Sequence, residues 1–530
     1  MGAATMSGSD TIKASPVLVV GAGIMGAGIA QVAAQAGQAV FLFDLRVGAA
    51  VRAKERLRDT LDRLVTKGKL TRAEVDATLA RIEPIEQLAQ GASAGVAIEA
   101  IVESLDAKQA LMRQLEVALP STSILATNTS SISVTAIAKG LANPGRVVGM
   151  HFFNPVPLMK LVEVVHGLQT EQVTADAVFE LAQHWGKVPV HARSTPGFIV
   201  NRIARPFYAE TLAILQERGA RVEEVDACLM AAGFRMGPCA LMDLIGHDTN
   251  LAVTSSVYAA NFFDKRFIPS IVQQELVDGG LLGRKSGQGF YNYGEGSVAT
   301  LPLPASGAGA VSPRSRVIVH GVGPHAAWFV ESVGRITKRQ VEREVESSWI
   351  GLSIEDVKLA MTDGRTAYDL AAAGVGSNVA VFDRFDPKRV SLEIALPLAF
   401  SIEGQASAQA SRVARDWLGA MGFHPVPMKD LPGLVVARTM AMLINEAADA
   451  VWQGVCSQAA ADSAMKLGVN YPKGPFEWLR DWAGTTGRGA AGVTAMLDAL
   501  DSHYRGERYR ASPLLRRQAH WTIPANKETS

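Results

Sequence analysis

The 530-residue sequence contains only three cysteines, Cys228, Cys239 and Cys456, and no two of them have CxxC spacing. An odd and scattered set of this kind indicates neither a disulfide framework nor a zinc site. His184 and His191 have no Glu or Cys partner at ligand spacing, so no metal site is expected. A reducing, cytoplasmic location is therefore predicted.

The sequence also lacks a surplus of one charge and a long hydrophobic run. Its formal charge is +1 and charged residues make up 19%, which is untypical of a nucleic-acid-binding chain. No apolar stretch approaches the roughly 18 to 20 residues that cross a bilayer, so no membrane partner is expected. Residues 1–15 lack the apolar run of a secretory signal and are predicted to form a disordered leader.

What the chain does have, from residue 16 on, is an alternation of short apolar runs and longer helical patterns. Strands are predicted at Val17–Val20 and Val40–Asp44, with a helix over Ile24–Ala36 between them. Further strands are predicted at Ile98–Val102, Ile124–Thr127 and Arg146–Phe153, the last of these ending the sheet. This alternation predicts an α/β Rossmann-type doubly wound domain over residues 16–194.

After a helix predicted at about Ala175–Trp185 and a strand-like run at Val188–Val190, the sequence changes to a helical pattern. Pro196-Gly197 introduces a long helical segment, Phe198–Arg218, and the pattern stays helical to Tyr293. We therefore expect an all-α domain over residues 195–293. Residues 294–315 are rich in Gly, Pro, Ser and Ala and predict a linker.

Two segments of the chain resemble each other. Thr195–Arg202 (TPGFIVNR) matches Leu431–Arg438 (LPGLVVAR), and a Gly-Pro pair follows each of them, at residues 237 and 474. An internal duplication of the helical domain explains this repeat. We therefore expect a degenerate Rossmann-like region over residues 316–430 and a second helical domain over residues 431–525.

The first predicted strand runs directly into a glycine-rich turn that a helix follows at once. In a GxGxxG turn of this kind, backbone N–H groups and the helix N-terminus face a pyrophosphate. Asp44 ends the next strand and can bind the ribose hydroxyls, which favours NAD over NADP, although Arg46 is a mild counterargument. The expected contacts of the turn with the cofactor are Gly21, Gly23, Ile24, Met25 and Gly26.

A candidate catalytic pair leaves the strand Arg146–Phe153. A strand-end His151 can take the proton of an alcohol while hydride leaves to a nicotinamide, because its ordinary pKa is near neutrality. Glu163 lies 12 residues on (163 − 151 = 12) and can return beside it across a Pro-containing turn. Asn128–Ser131 and Asn201 offer side chains for a substrate oxygen, although any of these residues could instead cap a helix. Taken alone, a His and a Glu at this spacing are more often structural.

Six blocks of sequence together carry a family resemblance. They are Gly21–Gly26, Ile101–Glu103, Asn128–Ser131, His151–Glu163, Thr195–Arg202 and Gly283–Tyr293. Over residues 15–293 they resemble the 3-hydroxyacyl-CoA dehydrogenase family, for which the HFFNPVP and TPGFIVNR blocks are highly specific. The resemblance implies NAD as the cofactor and a 3-hydroxyacyl-CoA as the substrate.

The resemblance also implies roles for individual residues. His151 would be the general base and Glu163 its orienting partner, while Ser130 and Asn201 would hold the hydroxyl that becomes a ketone. Along the NAD site it implies Glu103, Lys108, Ser130, Asn154 and Lys285. Near the CoA it implies Thr60 and Lys67, where a solvated turn explains the sequence equally well.

The second half is expected to be non-catalytic. An ungapped alignment that superposes Pro196 on Pro432 places His151 on Pro387, Glu163 on Ala399 and Asn201 on Ala437. Because the simple family member is a homodimer through its helical domain, the second helical domain is expected to act as an internal dimer partner. Further homo-oligomerisation is left open.

Three functional alternatives follow. Among family members with a duplicated domain, the layout of this chain is similar to that of the 3-hydroxyadipyl-CoA dehydrogenases of bacterial phenylacetate degradation, and 3-hydroxybutyryl-CoA is the rival substrate. A non-enzymatic NAD-binding protein is the remoter alternative, and it has no reason to retain both His151 and Glu163. A dehydrogenase of free 3-hydroxyacids would normally use a helix-borne Lys as its base.

Overall fold

The computed structural model describes residues 12–294, 309–483 and 489–520. The chain divides into two compact units, Met1–Arg202 with Gln453–Val469, and Ile203–Trp452 with Asn470–Ser530. A short segment of the second half therefore belongs to the first unit. None of the described helices combines the length and hydrophobicity needed to span a membrane.

The first unit is built on an eight-stranded sheet in the order β3-β2-β1-β4-β5-β6-β7-β8. Its strands are β1 Val17–Val20, β2 Val40–Phe43, β3 Ile82–Ile85, β4 Val96–Glu99, β5 Ile124–Thr127, β6 Val147–Phe152, β7 Leu161–His166 and β8 Val188–Arg193. Neighbouring strands are parallel except β6 and β7. All residues of β1 are buried, as expected for a VLVV strand covered by helices on both faces. The predicted Rossmann-type fold is confirmed.

Helices cover this sheet because each presents an apolar face to it. In the helix Ala49–Thr66, Ala53, Leu57 and Leu61 are buried at a spacing of four while the charged residues point outward. A capping box fixes the next helix, since Thr71 and Glu74 exchange side-chain and backbone hydrogen bonds. The helices of this unit are Ile24–Gln35, Ala49–Thr66, Arg72–Ala80, Leu105–Ala118, Val134–Ile137, Gln172–His184, Val200–Ile203 and Gln458–Gly468.

The strand predictions were wrong at two places. β4 spans Val96–Glu99 instead of Ile98–Val102, so the loop that follows it begins three residues earlier than predicted. The strand that was expected to end the sheet is not the last, because β7 and β8 follow β6. β8 includes the predicted strand-like run Val188–Val190, whereas β7 was not predicted. The β7 sequence is an almost wholly apolar run after a proline turn, and β8 returns parallel to it after a helix.

The predicted leader and linker fall largely outside the described residues. Of the leader, residues 12–15 are described and ordered, which corrects the prediction for them. Ile12 is buried, and the Gln38 side-chain amide donates to the carbonyls of Ile12 and Ser15 over 3.0 and 2.9 Å. The helix predicted from Phe198 begins at Val200, because Gly197 and Phe198 have φ angles of 77° and 46°.

The second unit contains both helical copies and a seven-stranded sheet in the order β10-β9-β11-β12-β13-β14-β15. The strands are β9 Val317–His320, β10 Glu342–Glu344, β11 Gly351–Ile354, β12 Val357–Met361, β13 Asn378–Phe382, β14 Leu396–Ile402 and β15 Phe423–Pro427. The longer helices are Arg205–Gln216, Val222–Ala231, Pro238–Ile245, His247–Ala260, Ile271–Asp278, Pro324–Thr337, Ala408–Ala420, Val436–Trp452, Pro475–Ala483, Gly489–Tyr504 and Pro513–His520.

The seven-stranded sheet is a shortened version of the first. β11 runs antiparallel to both of its neighbours, β9 and β12. A tight turn at Glu355, whose φ angle is 51°, joins β11 to β12 where a helix connects β4 to β5 in the first sheet. The sheet keeps a parallel β12–β13 pair and then an antiparallel β13–β14 pair, as the first sheet does at β5, β6 and β7.

Candidate active site

The glycine turn after β1 leaves open space at one of its three glycines. A Cβ on Gly21 would lie 2.5 Å from the Ala100 carbonyl oxygen, and one on Gly26 would lie 1.7 Å from the Gly21 carbonyl oxygen. At Gly23 a Cβ would meet nothing within 4 Å. The helix Ile24–Gln35 that follows has no side-chain cap, so its first N–H groups face the same space. This turn fits a dinucleotide pyrophosphate.

Asp44 lies at the end of β2, next to this turn. Its carboxylate accepts hydrogen bonds from the backbone N–H groups of Ala22, over 2.8 Å, and Arg46, over 2.9 Å. The Arg46 side chain also binds it, over 3.0 and 3.1 Å. Burial opposes ionisation, but these hydrogen bonds outweigh it and lower the pKa of Asp44 to about 2. A charged carboxylate is therefore present where a ribose would lie.

A buried ion pair joins the end of β4 to the helix Leu105–Ala118. The Lys108 ammonium is 2.8 and 2.9 Å from the two oxygens of Glu99 and 3.2 Å from Glu103. The side chains of Lys108 and Glu99 are 1% and 0% exposed. Lys108 thus contacts both Glu99 and Glu103 from a buried position, and its place along the NAD site stays a prediction. Sequence reasoning missed Glu99, since a carboxylate inside an apolar strand gives no signal of its partner.

Glu103 organises the loop that carries Ser130. Its Oε1 accepts hydrogen bonds from the Thr129 hydroxyl over 2.7 Å, from Ser130 N–H over 2.9 Å and from Ser131 N–H over 3.1 Å. Burial opposes ionisation of Glu103, but the Thr129 hydrogen bond and the Lys108 charge outweigh it and lower its pKa. Ser130 is half-buried at the end of β5, and its loop is held by this anion.

His151 and Glu163 lie directly opposite each other on the antiparallel strands β6 and β7. The His151 Nδ1 and a Glu163 carboxylate oxygen are 2.6 Å apart. The two residues are 5% and 0% exposed. The rings of Phe153 and Phe198 pack on the imidazole, with centroids at 4.6 and 5.8 Å. The predicted pair is thus brought together in a largely apolar surrounding.

The second oxygen of Glu163 binds the start of a helix. It accepts hydrogen bonds from the backbone N–H groups of Ile199 and Val200, each over 3.0 Å. This buried carboxylate therefore has three hydrogen-bond partners, as burial of an anion requires. The orientation of His151 depends in turn on the position of that helix start, which Asn201 directly follows.

The other predicted site residues in the first unit are more exposed. Asn154 follows β6 and is exposed. Thr60 and Lys67 lie on the exposed side of the helix Ala49–Thr66 and at its end, and the Thr60 hydroxyl donates to the Arg56 carbonyl over 2.9 Å. Lys285 belongs to the second unit, where its ammonium forms an ion pair with Asp248.

Comparison with known proteins agrees with this geometry. The description "3-hydroxyacyl-CoA dehydrogenase, NAD binding domain" matches residues 16–195, and the C-terminal domain of the same name matches twice, at 197–293 and 433–529. Residues 359–432 match a "3-hydroxybutyryl-CoA dehydrogenase reduced Rossmann-fold domain". The 3-hydroxyadipyl-CoA dehydrogenase of Escherichia coli K12 is 42% identical over 96% of this chain and 98% of its own length. The chain belongs to the 3-hydroxyacyl-CoA dehydrogenase family.

Solved structures and shorter relatives agree on the family. The crystal structure of 3-hydroxybutyryl-CoA dehydrogenase from Escherichia coli K12 matches with a TM-score of 0.83 and 41% identity, over 96% of this chain and 98% of that one. A probable 3-hydroxybutyryl-CoA dehydrogenase of Bacillus subtilis is 41% identical over 53% of this chain and 97% of its own length. The chain is thus an NAD-dependent 3-hydroxyacyl-CoA dehydrogenase with a duplicated helical domain.

In this dehydrogenase, Asp383 takes the strand position in the second sheet that His151 takes in the first. The alignment places Ala399 on Glu163, with an offset of 236 residues (399 − 163 = 236). Glu163 on β7 pairs with Val190 on β8, and Ala399 on β14 pairs with Val426 on β15. Val190 and Val426 have the same offset, so the alignment holds for these strands in both sheets. Asp383 lies opposite Ala399, and its N–H donates to the Ala399 carbonyl over 2.9 Å. The predicted alignment of His151 with Pro387 was wrong, because the loop between the two strands is longer in the second copy.

The Asp383 carboxylate also replaces Glu163 as the anion at the helix start. It accepts hydrogen bonds from Val435, Val436 and Ala437 N–H over 2.9, 2.7 and 2.9 Å. Val435 and Val436 align with the two residues that bind Glu163 in the first copy. A single carboxylate thus stands where the first copy of the dehydrogenase has a His–Glu pair.

The glycine turn of the second copy has lost its acidic neighbour. Gly321 N–H donates to the Glu344 carbonyl over 2.9 Å, as Gly21 N–H does to the Phe43 carbonyl over 2.8 Å. By this register Val345 occupies the position of Asp44. An apolar side chain at that position cannot bind ribose hydroxyls, so the turn retains its shape without the chemistry of the NAD site.

Proposed function

We propose that this dehydrogenase oxidises (3S)-3-hydroxyadipyl-CoA with His151 as the general base. The hydrogen bond between His151 Nδ1 and Glu163 carries the assignment of the base, because it leaves Nε2 as the nitrogen that can take a proton. The pair lies at the same sheet edge as the glycine turn and Ser130, where a doubly wound fold binds its ligands.

The reaction removes two hydrogens from the substrate. Bound NAD would supply the acceptor for the hydride that leaves C3. His151 takes the proton of the 3-hydroxyl group at Nε2, and the C3–O bond becomes a carbonyl. Glu163 fixes the tautomer with the proton on Nδ1 and stabilises the imidazolium that forms. A base of this kind contributes on the order of 10²–10⁴-fold to the rate.

Further residues have proposed roles in binding. The open space at Gly23 and the uncapped helix after it support a pyrophosphate there, and the ionised Asp44 supports a ribose contact. Ser130 and Asn201 remain the proposed ligands of the substrate oxygen. The remaining contacts stay predictions from the sequence: Ile24, Met25, Glu103, Lys108, Asn154 and Lys285 for NAD, and Thr60 and Lys67 for CoA.

The acyl chain is assigned from a curated relative that spans both halves of the chain. That Escherichia coli relative is described as a 3-hydroxyadipyl-CoA dehydrogenase and covers 96% of this chain. The rival substrate is 3-hydroxybutyryl-CoA. It stands in the descriptions of the Escherichia coli crystal structure that also spans both halves and of relatives that match only the first half. The description of the curated full-length relative supports the adipyl substrate.

A substrate panel tests both parts of the proposal. NADH formation is followed with 3-hydroxyadipyl-CoA, 3-hydroxybutyryl-CoA and the two free acids. We expect kcat/KM to be highest for 3-hydroxyadipyl-CoA. A higher value for 3-hydroxybutyryl-CoA would overturn the acyl assignment alone. Turnover of only the free acids would overturn the thioester substrate as well.

Replacement of the base tests the mechanism separately. His151→Gln should lower kcat by on the order of 10²–10⁴-fold while the Kd for NAD stays nearly unchanged. His184→Gln is the control, because His184 is an exposed histidine of the same unit. Equal loss of NAD binding and turnover in His151→Gln would mean that the residue is structural.

We further propose that the second helical copy serves the first as an internal dimer partner. Within the second unit, Glu210 of the first copy binds Arg508 of the second over 2.9 Å. Reciprocally, Arg266 of the first copy binds Glu446 of the second over 3.3 Å, and Glu446 aligns with Glu210 (210 + 236 = 446). Reciprocal contacts of this kind are typical of a two-fold interface.

The elements that carry the two arginines are equivalent as well. Arg266 and Arg508 each lie in a short 3₁₀ turn, Lys265–Phe267 and Glu507–Tyr509, and the two turns contact each other. Deletion of residues 316–530 should therefore leave an unstable or insoluble fragment. A truncated chain that is monomeric, stable and fully active would contradict the proposal.

A further inference from the structure

One segment of the second, non-catalytic copy lies in the unit that holds the active site. Gln453–Val469 belongs to the first unit, and its helix Gln458–Gly468 packs on β7 and β8. β7 carries Glu163, the partner of His151. The segment thus packs against the strand that positions the proposed base.

Gly468, at the end of this helix, packs closely against residues that support the active site. A Cβ on Gly468 would lie 2.8 Å from Leu161 Cδ2 and 2.9 Å from Val200 Cγ2. Leu161 lies two residues before Glu163 and on the same face of β7. Val200 donates its N–H to Glu163 over 3.0 Å. The helix can approach these supports so closely only because Gly468 has no side chain.

Gln453 makes the second contact, with the helix that begins at Val200. Its side-chain oxygen accepts a hydrogen bond from Arg202 Nη1 over 2.8 Å. Arg202 is 5% exposed and lies two residues after Val200. The backbone of the segment is held as well, because Arg193 N–H at the end of β8 donates to the Val455 carbonyl over 2.9 Å.

Cys456 shows that the segment also comes close to Glu163 itself. Burial and, to a smaller extent, the negative charge of Glu163 raise the pKa of the Cys456 thiol to about 12. The thiol therefore stays neutral and adds no charge near the buried carboxylate.

We propose that Gln453 and Gly468 are positioning residues, through which the second copy holds Glu163 and thereby His151 in place. Gln453 acts through Arg202 and the helix start, while Gly468 acts through Val200 and Leu161. The proposal rests on the proposed role of His151 as the base. It gives the second copy a part in turnover even though its own His–Glu position holds Asp383 and Ala399.

The test uses Gln453→Ala in the full-length chain. Loss of the bond to Arg202 loosens the helix start and misplaces Glu163, so kcat should fall by about tenfold while the KM for NAD changes less than about twofold. A weaker contact with the Glu163 carboxylate stabilises the protonated form of the base less, so the acidic limb of the kcat/KM profile should move to lower pH. Gln453→Glu keeps an acceptor for Arg202 and should restore both quantities.

The duplication provides a matched control. Glu217 aligns with Gln453 (453 − 236 = 217), and its carboxylate lies 3.9 Å from Arg438, which aligns with Arg202. Glu217→Ala should leave kcat and the pH profile unchanged, because the helix start near Arg438 supports no catalytic pair. Gly468→Ala should lower kcat in the same way as Gln453→Ala.

Three results would overturn the proposal: an unchanged kcat and pH profile in both Gln453→Ala and Gly468→Ala, an equal loss in Glu217→Ala, or no rescue by Gln453→Glu. These failures can be told apart from a failure of the base assignment. The latter would appear as full turnover in His151→Gln, whatever the variants of the second copy do.

Discussion

Glu163 binds His151 with one carboxylate oxygen and the start of the following helix with the other. Glu163→Gln cannot satisfy both sides, because one of its two terminal atoms becomes an N–H donor. If the amide faces the backbone N–H groups, the helix start loses its acceptor; if it faces His151, the tautomer changes. We expect kcat to fall by on the order of 10²–10⁴-fold.

The measurement is kcat together with the Kd for NAD, which should change little. Glu55→Gln replaces an exposed carboxylate of the same unit and serves as the control. A Glu163→Gln enzyme with wild-type turnover would show that Glu163 is needed only for folding.

Asp44→Ala should shift the preference of the enzyme from NAD towards NADP. The ionised carboxylate can bind ribose hydroxyls and repels a 2′-phosphate, and its loss frees Arg46 from their ion pair. Hydrogen bonds to a charged group contribute about 1.5–3 kcal/mol, so kcat/KM for NAD should fall by about 10- to 100-fold. The ratio of kcat/KM values for NAD and NADP checks this, and an unchanged ratio would mean that Asp44 does not contact the ribose.

Glu210→Gln should destabilise the second unit. Glu210 is fully buried and its carboxylate binds Arg438 and Arg508, so removing its charge leaves two arginines with weaker partners. Breaking a buried pair in this way costs about 3–5 kcal/mol. Urea unfolding monitored by circular dichroism measures it. Glu342→Gln, in the exposed pair with Arg316, should leave the free energy of unfolding unchanged.

His325 should make the stability of the protein depend on pH. Burial, together with the nearby charge of Arg384, lowers its pKa to about 4, against an ordinary value of about 6.5 in the unfolded chain. The stability from a neutral His325 is therefore fully present above pH 6.5 or so and is lost as the pH falls towards 4. At pH 5 the loss amounts to about 2 kcal/mol.

His325→Gln separates this effect from those of other groups. Gln can still donate to the Phe385 carbonyl, which His325 Nε2 meets at 2.8 Å, but it does not titrate. The stability of the wild type relative to this variant should fall by about 2 kcal/mol between pH 7.5 and 5. Burial raises the pKa of Asp383 to about 6, which acts in the opposite direction in both proteins and cancels in the difference. Parallel stability curves would contradict the prediction.

The sequence by itself determined the parts of this protein that depend on neighbouring residues. β1 and β5 have the predicted bounds, because a short apolar run between a polar segment and a turn can form little else. The glycine turn after β1 was also predictable from a local pattern. Side chains at Gly21 and Gly26 would clash with nearby backbone, and Gly23 faces open space. The spacing between His151 and Glu163 also indicated that the two could meet.

Tertiary structure alone decided which distant residues support the site. Glu99 and Lys108 form a buried ion pair, and Lys108 also contacts Glu103. In the second sheet, Asp383 rather than Pro387 holds the position of His151. Strand register depends on the length of the loop between two strands and on what packs against them, and neither can be derived from a local pattern. The same reason applies to Gln453, which reaches Arg202 across 251 residues of chain. The sequence shows that the second half lost its catalytic residues, and only the fold shows that part of it packs behind Glu163.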